Sequence, residues 1–85
     1  DNSANYDFKD LKILAVDDNP ESLKVLKYFF EEKNVSIDLA ESGQDALLKF
    51  DTNTYDVILM DMQMPGMDGL EVTKRIRTKT KDVPI

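Results

Sequence analysis

The sequence predicts an α/β domain built on an open parallel sheet, and two stretches carry that expectation. The first is Tyr55-Asp56-Val57-Ile58-Leu59-Met60-Asp61-Met62-Gln63-Met64-Pro65-Gly66-Met67-Asp68-Gly69. Val57 to Met60 is a short apolar run bounded by turn residues, the pattern of a strand buried on both faces. Asp61 stands at its end, Pro65, Gly66 and Gly69 mark a loop, and the residues after Gly69 read as a helix. The second stretch, residues 11–20, has the same grammar. Ile13 to Val16 reads as a buried strand, Asp17 and Asp18 end it, and Pro20 suits the first turn of a helix. Open α/β sheets place their chemistry at the carboxyl ends of strands followed by a loop and a helix. Taken alone, Asp61 equally suits a plain turn-capping role, because Asp is common in turns.

In chain order, Asp1 to Asp10 is polar, with Tyr6 and Phe8 as its large apolar groups. Residues 1–9 are expected to form a tail or interdomain linker, and residues 10–85 the domain. Strand one runs from about Lys12 to Val16. Helix one follows from Pro20 to Lys33, with Asn19 as N-cap, Glu21 at the positive end of the dipole and Lys33 at the negative end. Leu23, Leu26 and Phe30, with Phe29 beside them, form its core stripe. Val35, Ile37 and Leu39 alternate with Ser36 and Asp38, the pattern of a half-exposed edge strand. Ser42 with Asp45 makes a weak capping box for helix two, Gly43 to Phe50, which turns Ala46, Leu47 and Phe50 inward. Residues 51–54 form a polar loop into strand three. Helix three extends from Gly69 to about Thr78, with Leu70, Thr73 and Ile76 on its inner edge, and residues 78–82 are a polar connection.

Eighty-five residues hold one core at most, with little margin of buried area. A hydrophobic content of 41% with 33% charged residues belongs to a soluble globular chain rather than a disordered one. There is no Cys, which excludes disulfides and thiolate metal sites and is compatible with a cytoplasmic location. No apolar run approaches a membrane span, and no signal peptide is visible. The formal net charge of −6 argues against nonspecific binding to nucleic acid.

If the two strands are neighbours in a parallel sheet, Asp17, Asp18 and Asp61 come together at one edge. Crowded carboxylates repel unless a cation sits between them. Oxygen ligands without Cys or His suit a hard divalent ion, Mg²⁺ above all. An Asp beside such an ion can act as a nucleophile towards phosphorus and form an acyl phosphate. Two other clusters have plainer readings. Lys74, Arg75, Arg77, Lys79 and Lys81 could meet an acidic partner, but the carboxyl end and solvated face of a helix favour cations anyway. Met60, Met62, Met64 and Met67 offer soft thioethers that Cu(I) would accept, but gap-filling packing is the better account.

Residues 13–19 and 57–69, taken together, resemble the receiver domain of two-component response regulators. The paired acids after strand one, the Asp-x-x-Met-Pro loop and the Met-Asp-Gly opening the next helix match in type, order and spacing. The resemblance covers about residues 10 to 85. It implies a flavodoxin-like (CheY-like) doubly wound sheet, here incomplete: strands in order 2-1-3 with three helices and a stub of strand four. It makes Asp61 the phosphoacceptor and Asp18 a direct Mg²⁺ ligand, with Asp17 acting mainly through bound water and the Gln63 carbonyl as a further ligand. Pro65 and Gly66 shape the loop, and Asp68 caps helix three. The implied partner is a sensor histidine kinase or phosphotransfer protein whose phosphohistidine is the donor, and the parent is a stand-alone regulator or a hybrid kinase. The family has five strands and five helices, whereas this chain starts at Asp1 and stops at Ile85, as strand four begins. It is therefore expected to be cut from something longer. The family's Thr or Ser after strand four and Lys after strand five are absent, which leaves open an interaction fragment without switching. An uncovered sheet edge would then invite a homo-oligomer or a complementary fragment. A haloacid-dehalogenase-like phosphatase with Asp17 as nucleophile fits less well, because Asp17-Asp18-Asn19 lacks the Asp-x-Asp order.

Overall fold

Among the described residues, six elements follow one another in strict alternation: β1 (Lys12–Val16), α1 (Pro20–Glu31), β2 (Ser36–Ala40), α2 (Gly43–Thr52), β3 (Val57–Met60) and α3 (Gly69–Arg77). The structure, a computed structural model, describes residues 11–62, 64 and 68–85. The expected tail, residues 1–9, lies outside them. The strands form one parallel sheet in the order β2-β1-β3, with Ile13 opposite both Ile37 and Val57. Successive strands thus lie on opposite sides of β1. Right-handed crossovers then put α1 on one face and α2 on the other, and α3 packs beside α2.

The central strand is the best protected. Ile13, Leu14, Ala15 and Val16 are all buried, because β1 has a neighbour on each side and helices above and below. β3 differs from its expected double burial. Ile58 is buried, but Val57, Leu59 and Met60 are only partly covered, since β3 is the outer strand of the sheet. Residues 83–85 run beside β3, where the stub of strand four was expected. One backbone hydrogen bond joins them there, from the Ile58 amide to the Pro84 carbonyl at 2.9 Å. The main core lies between the sheet and the α2/α3 layer. Leu14, Val16 and Ile58 from the sheet meet Ala46, Val72 and Ile76 from the helices, with Leu47, Phe50, Val83 and Ile85 packed at its margin.

Local chemistry explains where the helices begin and end. The side chains of Asn19, Ser42 and Asp68 accept hydrogen bonds from the amides of Glu21, Asp45 and Glu71, so each helix has a side-chain N-cap. α1 stops at Glu31, short of the expected Lys33. Asn34 takes a left-handed φ of 61°, and the Val35 amide reaches back to the Phe30 carbonyl at 3.0 Å. This is a Schellman-type ending, with Asn in the position glycine usually holds.

Two inward-facing assignments and one outward-facing one need correction. Phe29 is 51% exposed, its ring edge-on to Phe30 and under the Lys33 ammonium. It sits one residue off the Leu23–Phe30 stripe and so turns outward. On α3 the buried stripe is Gly69, Val72 and Ile76, whereas Leu70 is 54% exposed. Asp38 is half-buried rather than pointing to solvent. It lies opposite Leu14, on the α2/α3 face, and accepts a 2.6 Å hydrogen bond from the Tyr55 hydroxyl. Lys12 stands nearby, 3.9 Å from the Asp38 carboxylate and over the Tyr55 ring. Burial first, and then this hydrogen bond, raise the Tyr55 phenol above its ordinary value.

Candidate metal centre

The register of the sheet builds the site. β1 ends at Val16 and β3 at Met60, and those two residues are partners. The next residues, Asp17 and Asp61, therefore leave adjacent parallel strands at the same level. Main-chain hydrogen bonds hold both, from the Asp17 amide to the Ala40 carbonyl (3.1 Å) and from the Asp61 amide to the Val16 carbonyl (2.9 Å). Asp17 Oδ1 accepts the Asn19 amide at 2.9 Å, an Asx turn that swings the chain into α1. Asp18 lies on that turn and is exposed, whereas Asp17 and Asp61 are half-buried. One carboxylate oxygen from each of Asp17, Asp18 and Asp61 lies within 4.8 Å of the others.

This place is the switch point of a 2-1-3 sheet, where the chain leaves β1 on both sides and the loops part to form a crevice. A cleft of about 310 Å³ opens beside the acids, lined by Val16, Asp17, Leu26, Leu59, Met60 and Asp61. The donor set is carboxylate only, and the chain contains neither Cys nor His. Three negative oxygens at this spacing fit a hard divalent cation of the Mg²⁺ type, not Zn²⁺ or Cu(I).

Among the remaining sequence-derived residues, Asp68 Oδ1 accepts the Glu71 amide at 2.9 Å at the start of α3. Gln63, Pro65 and Gly66 lie outside the described residues. Among the described methionines, Met64 is buried in the core and Met62 is 48% exposed; Met67 lies outside the described residues. In the basic cluster, Arg75 pairs with Glu71 one turn earlier, Lys79 with Asp51, and Arg77 donates to the Val83 carbonyl. Sequence reasoning gave Gly69 as a loop marker and as the last residue of the Met-Asp-Gly that opens helix three, with no contact to Asp61. It lies against the Asp61 main chain, and no local sequence signal announces that contact.

The alternating parallel fold and the acidic edge define a class, and the chain belongs to the response regulator receiver domain family, whose model matches residues 13–85. Transcriptional regulatory protein ResD of Bacillus subtilis is 46% identical over 74 residues, which cover 87% of this chain and 30% of ResD. The autoinducer 2 sensor kinase/phosphatase LuxQ of Vibrio vulnificus is 39% identical over 71 residues, 84% of this chain and 8% of that protein. The response regulator TrrA of Thermotoga maritima, solved in complex with Mg(2+)-BeF, superimposes with a TM-score of 0.81 at 45% identity, covering 86% of this chain and 64% of TrrA. TrrA in complex with the histidine kinase ThkA gives a TM-score of 0.80. The chain thus spans less than a third of these curated relatives and under two thirds of TrrA.

Proposed function

We propose that the protein is a phosphoryl-accepting receiver module of a two-component relay, with Asp61 as the acceptor. The observation that carries this reading is the convergence of Asp17, Asp18 and Asp61 within 4.8 Å at the ends of two adjacent parallel strands. Asp18 and Asp61 would hold a Mg²⁺ ion directly and Asp17 through water, with the Gln63 carbonyl completing the set. Such an ion would offset the charge of the carboxylates and of the incoming phosphoryl oxygens.

Asp61, at the end of β3 beside the cleft, would be the reacting group. Its carboxylate needs no base. An oxygen lone pair attacks phosphorus, the phosphorus–nitrogen bond of a donor phosphohistidine breaks, and the ring, already protonated on its other nitrogen, departs with the bonding electrons as neutral imidazole. The product is an acyl phosphate on Asp61. Asp17 is held to the turn into α1, its Oδ1 accepting the Asn19 amide. The role is that of a signalling acceptor rather than a turnover enzyme. The complex of TrrA with ThkA supports a sensor kinase as the partner. The net charge of −6 speaks against nucleic acid as a partner of this segment.

Incubation with acetyl phosphate and Mg²⁺, followed by intact mass, tests the reading. The wild-type protein should gain one phosphoryl group and Asp61→Asn none. An Asp61→Asn protein that is labelled at the wild-type rate refutes the assignment.

A further inference from the structure

Gly69 is buried at the first position of α3. A Cβ added to it would lie 2.1 Å from the Asp61 carbonyl oxygen, 2.7 Å from the Asp61 carbonyl carbon and 2.6 Å from the Met62 Cα. All three neighbours are main-chain atoms, so no side-chain rotation relieves the overlap. The start of α3 therefore bears directly on the peptide that leaves Asp61, and only a residue without Cβ permits that approach. The two sides of the contact are anchored independently. The Asp61 amide is tied to the Val16 carbonyl at 2.9 Å. α3 is seated by Val72 and Ile76 in the core and by the Asp68 cap. Asp61 is thus gripped at its amide by β1 and at its carbonyl by α3, and its carboxylate projects from the Cα between them.

We propose that Gly69 is a positioning residue for the Asp61 carboxylate, setting its distance from Asp17 and Asp18 through van der Waals contact with the Asp61–Met62 peptide. This rests on the reading of Asp61 as phosphoacceptor. Gly69→Ala must push that peptide or the end of α3 aside by about an ångström. A displacement of that size at a reacting group costs on the order of 10²-fold in rate, and one at a metal ligand about tenfold in affinity.

The test compares wild type, Gly69→Ala and Ser42→Ala in three measurements: an NMR titration with Mg²⁺, the rate of phosphorylation by acetyl phosphate, and urea unfolding. Ser42→Ala removes the cap of α2 without placing an atom near Asp61 or altering a residue that seats α3, so it controls for simple loss of stability. In the expected result Gly69→Ala still unfolds cooperatively, its Asp61 and Met62 amides move, Mg²⁺ binds about tenfold more weakly, and phosphorylation slows by at least that factor. Ser42→Ala loses stability but keeps the wild-type affinity and rate. The proposal falls if folded Gly69→Ala matches wild type, or if Ser42→Ala shows the same losses. It falls too if Gly69→Ala does not fold, since the residue is then a core element only. If wild type itself neither binds Mg²⁺ nor gains a phosphoryl group, the functional reading fails instead. The positioning contact is then judged on whether the Asp61 and Met62 amides shift in Gly69→Ala.

Discussion

Replacing Asp18 by Asn removes one charge from a cluster whose carboxylate oxygens lie within 4.8 Å of one another. At that separation two like charges repel by about 0.9 kcal/mol in water-like surroundings and about 3.5 kcal/mol at an effective dielectric of ~20. Asp18 is exposed and its two neighbours are half-buried, so the water-like end of this range applies to both pairs. Salt and side-chain freedom reduce it further, leaving a gain of about 1 kcal/mol for Asp18→Asn in a chelator-containing buffer. Mg²⁺ reverses the balance. At ten times its dissociation constant, a ligand that binds only the folded state stabilises it by about 1.4 kcal/mol. Wild type should receive that stabilisation, and Asp18→Asn, short of a ligand charge, very little. Urea melts at one fixed protein concentration, in EDTA and in Mg²⁺, read both effects. The variant should have the higher midpoint in EDTA and lose that lead in Mg²⁺. A wild-type midpoint indifferent to Mg²⁺, or a variant less stable than wild type in EDTA, would refute the reasoning.

Four further outcomes are expected. The folded state holds the Tyr55 proton more tightly than the unfolded chain does. Stability linked to this group is therefore complete below about pH 10 and falls as the pH climbs beyond it, and Tyr55→Phe should flatten that alkaline limb in melts between neutral and high pH. Ser42→Ala removes the cap on the Asp45 amide and should cost about 1 kcal/mol, read as a lower urea midpoint with an unchanged slope. Ile58→Ala empties a fully buried site under α2 and α3 and should cost about 2–5 kcal/mol; a loss under 1 kcal/mol would mean the site is not packed as described. With Val25, Tyr28 and Phe29 exposed on α1, sedimentation should show self-association that rises with concentration, and a monomer at every concentration would contradict that.

Much of this protein was determined by its sequence alone, because the deciding signals are local. Runs such as Ile13–Val16 must leave water whatever surrounds them, Asn19, Ser42 and Asp68 can cap helices from their own side chains, and an acid after a buried strand emerges at the sheet edge. Six elements, their order and the meeting of Asp17, Asp18 and Asp61 follow from such signals together with the right-handed crossover. Tertiary structure decided matters of phase and distance. The spacing of α3 allows the stripe of Leu70 or that of Val72, and packing against α2 and the sheet selects Val72. Asp38 reads as the outward half of an alternating strand until Tyr55, seventeen positions later, is brought back to it. Leu59 and Met60 belong to as apolar a run as β1, yet their partial exposure reflects the outer place of β3 in the sheet. The same holds for the grip on Asp61. A glycine after Asp68 looks like loop punctuation, and only the return of α3 onto the end of β3 makes its missing Cβ a matter of atomic distance.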